Sequence, residues 1–141
     1  MKKTFTVATA FALLVVAAAC GSKTESTTES GKPIATIKVN DLTATVSKNT
    51  GQLKQGEQEI TLAFTDSSGK QVDVGAVSLN FHMPAMGSMM AMNDAVTFTT
   101  TGTPGAYLGK VNIDMAGEWQ GQLAYEGPAG KGKTTFSVSA R

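Results

Sequence analysis

An all-β fold, specifically an immunoglobulin-like antiparallel β-sandwich of about seven strands, is what this sequence predicts, on three observations. From Ile34 onward apolar residues recur with period two. Turn-forming residues interrupt them every ten or so positions, and no stretch sustains an apolar stripe at helical spacing. About 105 residues divided in this way, with glycine-rich turns, suit two facing sheets around one core. The chain has a single cysteine, so the inter-sheet disulfide of antibody domains is absent.

The N-terminal residues 1–19 read as an export signal: Lys2 and Lys3, then an apolar run from Phe5 to Ala19. That run is shorter than the roughly 18 to 20 residues needed to span a bilayer and lacks a basic stop-transfer flank. It ends in Ala17-Ala18-Ala19-Cys20, which resembles a bacterial lipobox, although Leu is the usual residue where Ala17 stands. The expectation is cleavage before Cys20 and acylation of its sulfur, since an unpaired cysteine in an exported protein otherwise needs a special explanation. Two or more acyl chains then give stable anchoring to the extracytoplasmic side of a cell-envelope membrane.

Residues 20–33 hold, after Cys20, only Ser, Thr, Glu, Lys, Gly and Pro33, with no large apolar side chain, a composition that cannot bury enough surface to fold and reads as a tether. Residues 34–141 form one domain, large enough for a single core. Without Lys2 and Lys3, ten basic side chains face eleven acidic ones. Such a balance offers no basic field, so nucleic acid is not an expected partner.

Within the domain, Ile34 to Val46 supplies one strand or a bent pair. Glu59 to Thr65 sets Ile60, Leu62 and Phe64 on one face, and Asp66-Ser67-Ser68-Gly69 turns the chain. Val77, Leu79 and Phe81 share a face, as do Val96 with Phe98, Val111 with Ile113, Trp119 with Leu123 and Tyr125, and Phe136 with Val138. Trp119 is the expected core anchor.

One stretch departs from this pattern. Residues 81–92, FHMPAMGSMMAM, carry Met83, Met86, Met89, Met90 and Met92, five of the seven methionines, behind the single histidine, His82. A core strand draws on Val, Ile, Leu and Phe, whereas this run is broken by Pro84 and Gly87. Thioethers beside an imidazole are soft donors that suit Cu(I) far better than Mg, Ca or Mn. The competing reading is an adaptable apolar contact surface or gap filler, which methionine also supplies.

Period two points Met83 inward with Phe81 and His82 outward, at the strand's mouth. Loops of a sandwich alternate between its ends, so this run, the turn containing Met115 and the loop over residues 47–56 are expected at one end. The candidate metal ligands are therefore His82, Met83, Met86, Met89, Met90 and Met115. Cu(I) takes about two to four soft ligands, and the favoured set is His82, Met86 and Met115 with one of Met83, Met89 or Met90.

Other chemistry finds little support. Gly127 to Thr134 reads GPAGKGKT, a formal phosphate-loop match, but the alternating β-branched residues after it predict a strand, where a phosphate loop requires a helix N-terminus. Nucleotide binding is not expected. One histidine and one cysteine leave no Cys/His dyad or CxxC pair, and no nucleophile elbow or zinc-protease motif occurs, so the chain is not expected to be an enzyme.

Gly75-Ala76-Val77, His82-Met83-Pro84-x-Met86, Gly105-Ala106-Tyr107 and Met115-Ala116-Gly117-x-Trp119, in this order, resemble the YtkA-like domain, related to FixH, over roughly residues 33–138. The resemblance implies a small exported β-sandwich, often a lipoprotein or an appendage of heavy-metal efflux adaptors, with a role in metal handling; it brings no catalytic residues. Two functions follow as expectations. One is a Cu(I)-binding lipoprotein that buffers copper or passes it to an oxidase or efflux protein. The other is a metal-free module whose Met-rich loop docks on a partner in an envelope complex.

Overall fold

The structure, a computed structural model, describes residues 31–141. The expected export signal, Cys20 and nearly all of the tether lie outside the described residues. There the alternating pattern becomes nine strands: β1 (Lys32–Val39), β2 (Leu42–Lys48), β3 (Gly56–Thr65), β4 (Ala76–Met83), β5 (Met92–Ala95), β6 (Thr97–Thr100), β7 (Ala106–Ile113), β8 (Gly117–Gly127) and β9 (Gly130–Ala140). No helix occurs among the described residues.

The count exceeds the expected seven for two reasons. Val39 pairs with Leu42, so Asn40-Asp41 is a two-residue turn that splits the first segment into β1 and β2. Asn40 takes the left-handed conformation this requires, with φ 56°, and its amide donates to the Tyr125 hydroxyl at 3.2 Å. The other addition is β5, which lies within and just past the Met-rich run and pairs with β4.

The strands form a five-stranded sheet in the order β1-β2-β3-β7-β6 and a four-stranded sheet in the order β5-β4-β8-β9, with every ladder antiparallel. Leaving β1 aside, β2-β3-β7-β6 facing β5-β4-β8-β9 is the strand order of an immunoglobulin-like sandwich with one extra strand beside the third. Between the sheets lie Trp119, Phe64, Phe81, Leu62, Ile60 and Leu123, all fully buried. Each removes its apolar side chain from water for about 1.5–3 kcal/mol. Phe64 meets Tyr125 and Tyr107 edge-on, at centroid distances of 5.4 and 6.3 Å.

Gly127 pairs with Gly130, and residues 131–134 continue into β9, so the phosphate-loop match is a tight β-hairpin. The amides of that segment are spent on strand pairing, as the alternation predicts.

The registers also fix what shares an end. Lys32 lies opposite Lys48, Gly56 opposite Ile113, and Gly117 opposite Ala140, while His82 pairs with Gln120. The start of β1, the loop between β2 and β3, the β7–β8 turn and the β4–β5 connection therefore all lie at one end. Gln55 ties two of these together, its amide donating to the Asp114 carbonyl at 2.9 Å.

Candidate metal centre at the Met-rich hairpin

Asn80 to Met83 on β4 pair in order with Ala95 to Met92 on β5. Beyond the ladder the same register holds at an isolated bridge between Met86 and Met89, whose backbones exchange two hydrogen bonds of 2.9 and 3.2 Å. The Met-rich run is thus one hairpin closed by Gly87-Ser88. Gly87 takes φ 58° at the first central position, which a type II′ turn reserves for glycine. The dipeptide Gly-Ser between paired residues was the available signal for this hairpin.

The pleat then sorts the candidates. Residues directly opposite one another share a face, so His82 and Asn93 point outward while Met83 and Met92 point toward the core. Met86 and Met89, directly opposite one another at the bridge, share a face, while residues 84–85 and 90–91 between bridge and ladder belong to no strand. Met86 and Met89 stand as neighbours across the tip, 54% and 39% exposed, and Met90 is 83% exposed.

Met83 is 2% exposed and belongs to the core cluster, with Met92 and Met115 packed against that cluster. A Cβ on Gly117 would come within 2.9 Å of the Met83 methyl, so the glycine at φ 147° makes room for that side chain. Met115 lies at the expected end, and its carbonyl accepts a 3.0 Å hydrogen bond from the buried Trp119 indole. The favoured set of His82, Met86 and Met115 is therefore not gathered in one place. Met83, Met92 and Met115 pack with the core, whereas Met86 and Met89 stand exposed at the tip and His82 faces outward at its base.

His82 gains a partner that sequence reasoning missed. Its Nδ1 lies 2.9 Å from Asn93 Oδ1, and Asn80 donates to the same oxygen at 3.3 Å. With the Asn93 oxygen toward the ring, the tautomer that donates from Nδ1 is the one that leaves Nε2 as a donor to a metal. Metal-binding histidines are prepared in this way, with the second nitrogen donating to an oxygen that orients the ring. An imidazole and two thioethers are donors that suit a soft monovalent ion; along an extended strand Met86 stands about 13 Å from His82, so the ring and the thioether pair share one ion only where the hairpin folds over between them. Among the described residues, no three His, Cys, Asp or Glu side chains converge, so hard-oxygen or zinc-type coordination has no ready frame there.

Below the hairpin, Asp94 points into the sandwich, where its Oδ2 accepts the Asp114 backbone N–H at 3.0 Å. Burial pushes its carboxyl above the usual carboxylate range; the Asp114 N–H pulls the other way, and the Asp114 carboxylate adds to the rise. This bond latches β5 to the turn that carries Met115. Elsewhere, a groove of about 500 Å³ bordered by Glu57, Glu59, Lys110 and Asn112 holds neither histidine nor methionine. Its Glu59–Lys110 pair, 3.5 Å apart, is solvent-exposed.

Fold and hairpin together define a small β-sandwich with a soft-donor tip. The chain matches the YtkA-like family over residues 36–124, from within β1 to within β8, and belongs to that family. Comparison with curated proteins and with solved structures gives no match.

Proposed function

We propose that this chain is a lipid-anchored, extracytoplasmic copper-handling accessory protein, which binds Cu(I) at the β4–β5 hairpin and buffers it or delivers it to a membrane oxidase or efflux protein. The observation that carries the reading is the Met86–Met89 pair bridged across the hairpin tip, in the same hairpin whose base holds His82 against Asn93. Thioethers and an imidazole are the donors that a binding and transfer role needs, and no enzymatic step is part of the proposal. Export and acylation at Cys20 belong to the same proposal and rest on the N-terminal sequence.

Anaerobic titration with Cu(I) under reducing conditions tests it. Cu(I) is expected to raise the melting temperature, because the ion binds the folded hairpin and hardly the unfolded chain, whereas Mg is not. The double variant Met86→Leu with Met89→Leu keeps apolar volume nearly constant while deleting both sulfurs. It is expected to lose most of the Cu(I) affinity, and a variant that binds as tightly as the parent overturns this ligand set. A parent that binds no Cu(I) leaves the alternative, a metal-free module that docks on an envelope partner through the same tip, the reading that the exposure of Met90 favours.

A further inference from the structure

Among the described residues the exposed large hydrophobic side chains are Met86, Met89 and Met90, all on the tip of one hairpin. The eight residues 84–91 that form this tip contain no charged side chain. The two inward-facing backbone amides of the turn are already paired, Met86 with Met89. That pairing lowers the number of hydrogen-bonding groups the tip strands on leaving water, and the hydrated headgroup layer, unlike the hydrocarbon core, still serves the others.

The chain enters the sandwich at this same end, since β1 begins at Lys32 opposite Lys48. From Cys20 to Gly31 there are about eleven residue steps, at most about 40 Å of chain. β9, with 11 residues, makes the sandwich about 35 Å long at about 3.3 Å per residue. Bringing the opposite end to the bilayer would require the linking chain to run nearly straight alongside the whole domain. The hairpin end meets the membrane with no such demand.

We infer that the Met-rich tip rests in the headgroup layer of the bilayer that holds the acylated N-terminus. The inference builds on the anchor at Cys20 proposed above. Flexible thioethers suit this disordered boundary, where no fixed partner surface is available to pack against. Met90, 83% exposed and outside the Met86–Met89 bridge, serves this contact without being spent on ligation.

The test uses the full, natively acylated protein in phosphatidylcholine vesicles containing phosphatidylglycerol. Acylated Cys20 has no thiol, so Ser88→Cys on the tip and Ala129→Cys in the β8–β9 turn at the far end can each be labelled with an environment-sensitive fluorophore. The expected result is that the Ser88 label shifts to the blue and is quenched by lipids bearing shallow nitroxides, while the Ala129 label stays water-like. Adding Met90→Glu to the Ser88→Cys protein is expected to reverse the shift. If the protein floats with the vesicles but both labels remain equally water-like, the membrane contact is overturned and the anchor stands. If the protein does not float, the anchor reading fails and this inference fails with it.

Discussion

Asn93 makes the most specific demand at the scale of single residues. Removing its oxygen in Asn93→Ala frees the His82 ring to change tautomer and rotate, and is expected to lower Cu(I) affinity about 10–100-fold, as loss of an orienting partner does elsewhere. Asn93→Asp, which keeps an acceptor, is expected to retain binding. Competition against a soluble Cu(I) chelator reads both, and equal loss in the two variants would point to a packing role instead. Asp94 bears on stability. Its folded carboxyl titrates above the unfolded value, so the stability tied to its protonated form is fully present below about pH 4 and is lost as pH rises through the folded pKa. Asp94→Asn keeps an oxygen for the Asp114 N–H and is expected to flatten this part of the pH profile. Its melting temperature should equal or exceed the parent's at pH 7, with the difference closing in acid. A parent that instead gains stability from Asp94 across that interval would reverse the sign.

Among the elements, the β4–β5 hairpin depends on its two-residue turn. Deleting Ser88 leaves every methionine in the chain but breaks the common register, so Met86 and Met89 can no longer stand opposite one another. Cu(I) affinity is expected to fall while the domain stays folded; unchanged affinity would show that the pair is not the site. At the base of the hairpin, Gly117→Ala must take φ 147° and meet the Met83 methyl, which is expected to cost about 1–3 kcal/mol in urea unfolding. The pleat of β4 was legible in the sequence, because Val77, Leu79, Phe81 and Met83 alternate with polar residues. Strand β5 was not, since Met92-Asn93-Asp94-Ala95 carries no β-branched or aromatic residue and becomes a strand only by pairing with β4. The outer ligand group stayed hidden with it. Once the hairpin register is unknown, nothing tells Met86 and Met89 from Met90, and Asn93 reads as an ordinary turn residue.

For the molecule as a whole, both sheets close on one core, so far-UV circular dichroism is expected to be of β type. Heat is expected to unfold residues 31–141 in a single transition, and two separated transitions would divide the sheets. The sandwich remains open at its edges, and β5 forms one of them. That strand is only four residues long, and its buried member is the carboxylate of Asp94 rather than an aliphatic side chain. Short edge strands with an inward-pointing charge are poor templates for a strand from another chain. Proteins tethered to a surface are concentrated in two dimensions, where neighbouring copies meet constantly. On a chain anchored as proposed above, Asp94 would guard against edge-to-edge self-association and leave the hairpin beside it free of its own kind.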